Sequence, residues 1–211
     1  MIFKKVKDCH NTHDFRDLAK SKLPGPIFHY IAGGADDEIT QHRNTAAYED
    51  CDLVPNVLAG VKDIDMSVTV MGQKLEMPLF CSPTALQRLF HHEGELAVAR
   101  AAEKYGTMSG LSSLGTVDIM RMSKEISSPK LFQLYYHKDS GLNNHMIDLC
   151  KEANYEAIAL TVDTITGGNR ERDLHTGFTS PPKLTLKSLI SFASHPMWAL
   201  NYFTHEKFDL P

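Results

Sequence analysis

Residues 157–162 read Ala-Ile-Ala-Leu-Thr-Val, a run that is apolar at every position but one. A strand with this pattern is buried on both faces, which is typical of a parallel sheet that is covered by helices. Three earlier segments have the same character, at 78–82, 107–112 and 130–135. We therefore predict four parallel strands.

Helical patterns separate these strands, at about 93–105, 116–126 and 140–153. The strands begin near residues 78, 107, 130 and 157, and such spacing suits the repeating βα units of a (β/α)₈ barrel. A doubly wound sheet remains the alternative from spacing alone.

The chain before the first strand predicts three short helices and a hairpin. The helices are expected at 13–22, from Pro26 to Gly33, and from a cap at Asp36 or Asp37 to about residue 48. Residues 68–75 alternate around a Met-Gly turn and predict the hairpin. We interpret 1–75 as an N-terminal helical extension with a hairpin, 76–180 as the first four βα units, and 181–211 as a partial loop and helical segment.

The number of residues after the fourth strand limits the fold. Only 48 residues follow Asp163, whereas four further βα units would need about 100. The predicted fold class is thus α/β, the N-terminal half of a (β/α)₈ TIM barrel with the helical extension and the hairpin.

Composition excludes several classes of protein. Hydrophobic residues make up 42% and charged residues 23%, and the net charge of -4 gives no basic field for nucleic acid. The four cysteines lack metal or redox spacing, so we expect buried free thiols at Cys81 and Cys150, and no metal site. No signal peptide and no membrane span are expected, which predicts a cytoplasmic protein.

Polar side chains end each predicted strand. Thr84 follows the first strand, Ser112 ends the second, Gln133 lies near the end of the third, and Thr161 near the end of the fourth. Because active residues of βα barrels lie at the carboxyl ends of the strands, these groups are expected to surround one polar ligand. Ordinary strand caps would give the same pattern.

Five segments together resemble a known family. They are Phe28-His29-Tyr30 through Glu38, Ser82-Pro83-Thr84-Ala85 through Glu95, Leu111-Ser112-Ser113, Phe132-Gln133-Leu134-Tyr135, and Ala157 through Thr164 with Arg170-Glu171. Their order and spacing resemble the FMN-dependent 2-hydroxy-acid dehydrogenases and oxidases, which include glycolate oxidase, lactate dehydrogenase and mandelate dehydrogenase.

The resemblance implies a set of flavin-binding residues. Pro83, Thr84 and Ala85 would run along the flavin ring, where a backbone amide stabilises the reduced form. Side chains that would bind the polar edge of the ring are those of Ser112, Gln133 and Thr161.

The resemblance also implies substrate-binding and catalytic residues. Tyr30 and Arg170 would hold the substrate carboxylate, and a guanidinium fits a carboxylate bidentately. Tyr135 would donate to the substrate oxygen, and Asp163 would pair with the catalytic histidine. Read without the resemblance, Tyr30 is equally a core residue, Asp163 a strand-end cap and Arg170 a solvated loop charge.

The expected reaction is oxidation of a lactate-like L-2-hydroxy acid to the 2-keto acid. None of the eleven histidines lies in the family's base motif, so the chain alone is expected to be inactive. Leu114, where some members have an aromatic residue, is compatible with lactate or larger acids. The alternatives are a non-enzymatic fragment or a subunit that requires a separate C-terminal half, and another FMN barrel such as an isopentenyl-diphosphate isomerase.

The expected partners are a small 2-hydroxy acid and an electron acceptor that is a quinone, a cytochrome or oxygen. A homo-oligomer is expected for the full-length protein. For the apolar stretch 184–203 two alternatives are open: contact with a membrane surface, which would place the protein on the inner face of the plasma membrane, or a helix packed on the other half of the barrel.

Overall fold

The computed structural model describes residues 5–179 and 183–206. The chain forms two compact units. The first unit contains Met1–Ala59 and Thr166–Thr204, and the second contains Gly60–Ile165 and His205–Pro211.

The described residues form nine α-helices and five strands. The helices are α1 (Thr12–Lys22), α2 (Gly25–Ala32), α3 (Ile39–Ala46), α4 (Gly94–Lys104), α5 (Ile119–Glu125), α6 (Ser140–Glu152), α7 (Glu171–Thr176), α8 (Leu186–Ala193) and α9 (Pro196–Thr204). The strands are β1 (Val68–Val70), β2 (Gln73–Leu75), β3 (Ser109–Ser112), β4 (Lys130–Tyr135) and β5 (Ala157–Thr161).

The second unit is built on a parallel sheet in the order β3-β4-β5. Ser112 is paired with Gln133 in the first ladder, and Tyr135 with Thr161 in the second. Neighbours in the sheet are also neighbours in sequence, as barrel topology requires and as the α/β prediction expected. Within the part of the chain that the structure describes, the sheet is open rather than a closed barrel.

The first predicted strand, 78–82, is reduced to a single parallel bridge between Cys81 and Ser109. The Cys81 N–H donates to Met108 O at 3.0 Å, and its carbonyl accepts from Gly110 N at 2.8 Å. Pro83 has no N–H to donate, which stops the ladder after Cys81. Before Cys81, the Leu79 N–H donates to Met77 O at 2.8 Å rather than to the neighbouring strand.

Helices α4, α5 and α6 belong to the same unit as the sheet, and their apolar residues share one core with it. That core centres on Phe132, which is fully buried, and includes Leu111 and Leu134 of the strands. Cys150 of α6 also lies in it as a free thiol, as expected, whereas Cys81 is only half-buried. A smaller cluster, with Leu75 of the hairpin, joins the other face of the sheet.

The hairpin forms as predicted, with β1 and β2 antiparallel. Its turn residues Met71 and Gly72 have positive φ angles of 50° and 76°, which a two-residue hairpin turn requires. Val68 and Val70 pack against the cluster of Leu75, Met108 and Leu131 and so cover the early part of the strands.

The N-terminal helices agree with the sequence prediction except at one cap. The Asn11 side chain accepts from Asp14 N at 2.9 Å and caps α1. The predicted cap of α3 at Asp36 or Asp37 is wrong, because Glu38 is the N-cap residue, in the left-handed region at φ 58°. The Glu38 carboxylate instead accepts from Gly34 N at 2.8 Å, so it ties down the preceding turn.

Helices α8 and α9 expose large apolar side chains. Met197 is 73% exposed and Phe203 77% exposed, and Leu189 and Ile190 are more than half exposed. Among the described helices, none is both long and apolar enough to cross a membrane.

Candidate active site

Three of the predicted flavin-binding side chains form one hydrogen-bonded row across the sheet. Ser112 Oγ donates to Gln133 Oε1 at 2.6 Å, and Gln133 Nε2 donates to Thr161 Oγ1 at 2.6 Å. Ser112 and Gln133 are buried, and Thr161 is half-buried. The structure therefore brings together residues that lie up to 49 positions apart in the sequence, between 112 and 161.

The row lies on the face of the sheet that also contacts the hairpin, but further along the strands. Side chains alternate along a strand, so Leu131 and Gln133 share a face, as do Ala159 and Thr161. Leu131 and Ala159 belong to the hairpin cluster. The polar row therefore begins where the apolar cluster ends, toward the carboxyl ends of the strands.

The row has hydrogen-bonding capacity that its internal bonds do not use. An amide nitrogen has two donors and a hydroxyl has one, so one N–H of Gln133 and the O–H of Thr161 remain for another acceptor. Flavin carbonyls and ring nitrogens are acceptors of this kind. The residues of the row thus fit the polar edge of an FMN ring.

The segment Pro83-Thr84-Ala85 passes close to β3. A Cβ built on Gly110 would lie 2.7 Å from Pro83 N, so only glycine at this position allows the segment to approach the strand. The amide N–H groups of Thr84 and Ala85 have no hydrogen-bond partner within residues 5–179 and 183–206. Free amides next to the strand ends fit an electron-rich ring.

A buried carboxylate that sequence reasoning did not single out organises the chain after this segment. Glu95 of α4 is 2% exposed and accepts from Thr116 N at 2.8 Å and Thr116 Oγ1 at 2.7 Å. It also lies 3.4 Å from Gln87 N, while Arg88 N donates to Thr116 Oγ1 at 3.1 Å. The signal in the sequence is that the acidic Glu95 directly precedes the apolar Leu96 at the start of α4, where both side chains are buried.

Tyr135 and Asp163 lie at the same end of the sheet as the row. Tyr135 is the last residue of β4, and its N–H donates to Ser113 Oγ at 3.2 Å. Its side chain is half-buried on the same face as that of Gln133. Asp163 follows β5 by two residues and is exposed. Ser113 thus positions Tyr135, a role that the sequence alone did not indicate.

Tyr30 and Arg170 are in direct contact in the first unit. The Arg170 guanidinium lies 5.2 Å from the centre of the Tyr30 ring and also donates to the Tyr30 carbonyl. Arg170 Nε donates to Asp173 Oδ2 at 2.7 Å. The Tyr30 ring meets Phe178 edge to face, with ring centres 5.3 Å apart.

Asp173 was missed by sequence reasoning, although its spacing offered a signal. Opposite charges three positions apart at the start of a helix are neighbours on its surface. Asp173 is 8% exposed and fixes the direction of the Arg170 side chain. The two residues predicted to hold a carboxylate therefore come with a third that orients one of them.

One group of potential metal ligands lies outside these sites. The ligand atoms of His91, His92 and Glu93 are within 4.8 Å of one another. His91 is exposed, and Glu93 is paired with Arg100 at 2.9 Å. An ion here would have to compete with that salt bridge.

Comparison with known proteins identifies the family. The family model described as FMN-dependent dehydrogenase matches residues 19–209. Glycolate oxidase 1 of Oryza sativa subsp. indica is 40% identical over 178 residues, which are 84% of this chain and 48% of the rice protein.

Solved structures agree with this match. The crystal structure of the monotopic membrane protein (S)-mandelate dehydrogenase superposes with a TM-score of 0.89 at 30% identity, covering 96% of this chain and 54% of that one. A mandelate oxidase with a bound difluorinated hydroxy acid gives a TM-score of 0.76 at 32% identity, covering 87% of this chain and 58% of that one.

The fold and the matches define the class of protein as a TIM-barrel flavoenzyme. The chain belongs to the FMN-dependent dehydrogenase family of 2-hydroxy-acid oxidising enzymes, whose cofactor is FMN. It spans about half the length of the relatives that it matches.

Proposed function

We propose that these 211 residues supply the flavin-ring contacts and the substrate-carboxylate contacts of an FMN-dependent enzyme that oxidises an L-2-hydroxy acid to its 2-keto acid. The observation that supports this most directly is the Ser112–Gln133–Thr161 row with its two unused donors. The free amides of Thr84 and Ala85, in the segment that passes close to β3, add to it.

Each predicted residue has a chemical role in this proposal. Ser112, Gln133 and Thr161 bind the polar edge of the ring, and the backbone of Pro83, Thr84 and Ala85 runs along it. Bound between these groups, FMN would supply the acceptor for the two electrons that leave the substrate. The described groups position and polarise rather than react.

The substrate contacts follow from charge and donor geometry. Arg170, held by Asp173 and by the Tyr30 ring, binds the carboxylate through its remaining N–H donors. The Tyr30 hydroxyl is a second donor to the same group. Tyr135 donates to the 2-oxygen of the substrate, and Asp163 orients the histidine base, which we propose comes from a segment outside these residues.

The particular acid is proposed to be lactate or somewhat larger. Leu114 is half-buried and directly follows Ser112-Ser113. A leucine leaves more room than an aromatic side chain for a substrate methyl group or a longer chain. Turnover of glycolate alone would contradict this choice.

Anaerobic bleaching of the flavin tests the function. Enzyme that contains these residues and is loaded with FMN should lose its visible flavin absorbance with an L-2-hydroxy acid and keep it with the D-isomer. The 211-residue chain alone should show no bleaching, because the proposed base is outside it. Failure of the loaded enzyme to bleach with lactate, glycolate and mandelate would refute the function.

We further propose that 184–203 contacts a membrane surface. Support comes from the exposed apolar residues of α8 and α9 and from the likeness to a mandelate dehydrogenase described as a monotopic membrane protein. The chain should co-sediment with phospholipid vesicles, and Leu189→Ser with Ile190→Ser should reduce this. The exposed Leu174 of α7, changed to Ser, serves as control. Equal loss in both variants would contradict the assignment to α8.

A further inference from the structure

A cavity of about 320 Å³ lies inside the first unit, among α2, α7 and α8. This volume is at the lower end of the range for small-molecule sites. Tyr30 and Arg170 do not line it, so it is distinct from the proposed carboxylate site. Four of its lining residues have basic side chains: His29, Arg172, His175 and Lys187.

The basic side chains approach the cavity from three helices. His29 comes from α2, Lys187 from α8, and Arg172 and His175 from α7, where a spacing of three places them on one face. No aspartate or glutamate is among the described residues that line the cavity. The wall therefore presents positive charge without a carboxylate of its own.

Arg172 and Lys187 differ in their hydrogen-bond and ion-pair partners. Arg172 donates to the buried Glu38 carboxylate, which holds the guanidinium in place while other N–H donors remain. Lys187 is exposed and has no hydrogen-bond or ion-pair partner in the described part of the chain. The ammonium of Lys187 is thus available to a ligand.

The pKa of His29 reports the electrostatic environment of the wall. Burial lowers this pKa most, and the positive charges of Arg172 and Lys20 lower it further against the opposite effects of Asp173 and Glu38. His29 is therefore neutral near physiological pH and offers a ring nitrogen rather than a charge. The net positive charge of the cavity comes mainly from Lys187, because the charge of Arg172 is offset by its ion pair with Glu38.

Hydroxyl groups fix the backbone around the cavity. Ser188 Oγ donates to Thr176 O at 2.6 Å and lies 2.9 Å from Thr185 Oγ1. Ser191 Oγ accepts from Gly25 N at 2.8 Å. These bonds tie α8 to α2 and to the end of α7, so the backbone that carries Lys187 is held at the edge of the cavity.

We propose that this cavity binds the phosphate group of a small phosphate monoester. A phosphate monoester has close to two negative charges and three acceptor oxygens, which match donors that converge from three helices. A planar carboxylate offers only two oxygens. The volume that the phosphate leaves fits a short organic group against Pro26 and Gly25.

The phosphate can come from a soluble ester or from a lipid headgroup, and the two sources are separated by the choice of probe. The 211-residue chain is titrated with glycerol 3-phosphate and with inorganic phosphate, followed by ³¹P NMR. In parallel, its co-sedimentation is measured with phosphatidylcholine vesicles with and without phosphatidic acid. None of these probes contains a flavin, so the result does not depend on the proposed flavin site.

Lys187→Ala should weaken binding about fivefold, and adding His175→Ala should weaken it further. Both residues are exposed, so these variants should keep the wild-type circular dichroism spectrum. The matched control is Lys183→Ala, which removes an exposed lysine that does not line the cavity.

Binding of the soluble esters that Lys187→Ala weakens and Lys183→Ala does not would support a soluble ligand. The same pattern confined to vesicles with phosphatidic acid would support a lipid phosphate. Absence of binding in both arms, or binding that Lys187→Ala and Lys183→Ala affect equally, would overturn the proposal.

Discussion

Gln133 Nε2 lies 2.6 Å from Thr161 Oγ1, so a side-chain hydrogen bond joins β4 and β5 in addition to their backbone ladder. The amide oxygen of Gln133 accepts from Ser112 at the same distance. One amide thereby satisfies a hydroxyl on each neighbouring strand. Loss of the Gln133 amide should therefore remove two hydrogen bonds, one to Ser112 and one to Thr161.

The first prediction concerns the stability of this row. Gln133→Leu leaves the buried Ser112 hydroxyl without its acceptor and should lower the free energy of unfolding by about 1–3 kcal/mol. Urea denaturation of the chain measures this. The control is Asn144→Leu on α6, which replaces an exposed amide and should change the free energy of unfolding by less than about 0.5 kcal/mol. Equal stability of Gln133→Leu and the wild type would mean that the row is not formed.

The second prediction concerns the carboxylate site. Arg170→Lys removes the planar guanidinium that stacks on Tyr30 and bonds Asp173, and an ammonium cannot replace that geometry. In FMN-loaded enzyme, KM for the 2-hydroxy acid should rise about tenfold or more. Steady-state kinetics measures this, with Arg43→Lys on α3 as the control. An unchanged KM would remove Arg170 from the substrate site.

The third prediction concerns thiol reactivity. Burial raises the pKa of the Cys150 thiol from 9.0 to about 12, which lowers its thiolate fraction about a thousandfold. Cys51 is exposed. At about pH 8 a thiol reagent should modify Cys51 rapidly and Cys150 only after unfolding, as mass spectrometry of the labelled chain would show. Comparable labelling of both in folded protein would contradict the packing of α6.

How far the sequence predicted the fold depends on the kind of signal. The apolar runs at 130–135 and 157–162 predicted β4 and β5 almost to the residue, and β4 is buried nearly throughout, as such a run indicates. The predicted burial of β5 on both faces is wrong, because Ile158 and Leu160 are exposed on one face of this edge strand. The run at 78–82 failed as a strand, since apolarity does not compensate for the missing N–H of Pro83 or for the Leu79 N–H that donates to Met77 O. The α3 cap failed because a nearby aspartate is a local signal, whereas Glu38 is fixed partly by the distant Arg172.

The residues of the candidate site could also be predicted only in part from the sequence. Strand ends predicted that Ser112, Gln133 and Thr161 would be close, since parallel strands bring their carboxyl ends to one edge. The residues that hold the site in place were predictable only in part. Glu95 binds Thr116 and Gln87, and no local pattern links an acid to the distant Thr116. Asp173 lies three positions from Arg170, and that spacing was a usable signal.

The fourth prediction concerns acid stability. The Gly34 N–H donates to the Glu38 carboxylate, Arg172 pairs with it, and together they lower the pKa of Glu38 below its ordinary 4.5. The unfolded chain therefore binds the proton more readily than the folded one. The stability that Glu38 contributes is present above about pH 4.5 and is lost as the pH falls through the lowered pKa of the folded state.

Glu38→Gln should remove this part of the pH dependence. The difference in unfolding free energy between the wild type and Glu38→Gln should be largest near about pH 7 and shrink toward about pH 3. Urea denaturation at several pH values measures it, with Asp37→Asn as a control because Asp37 is exposed and outside the pair. A difference that stays constant over this range would show that the Glu38 charge does not stabilise the fold. A difference that grows on acidification would reverse the sign of the predicted pKa shift.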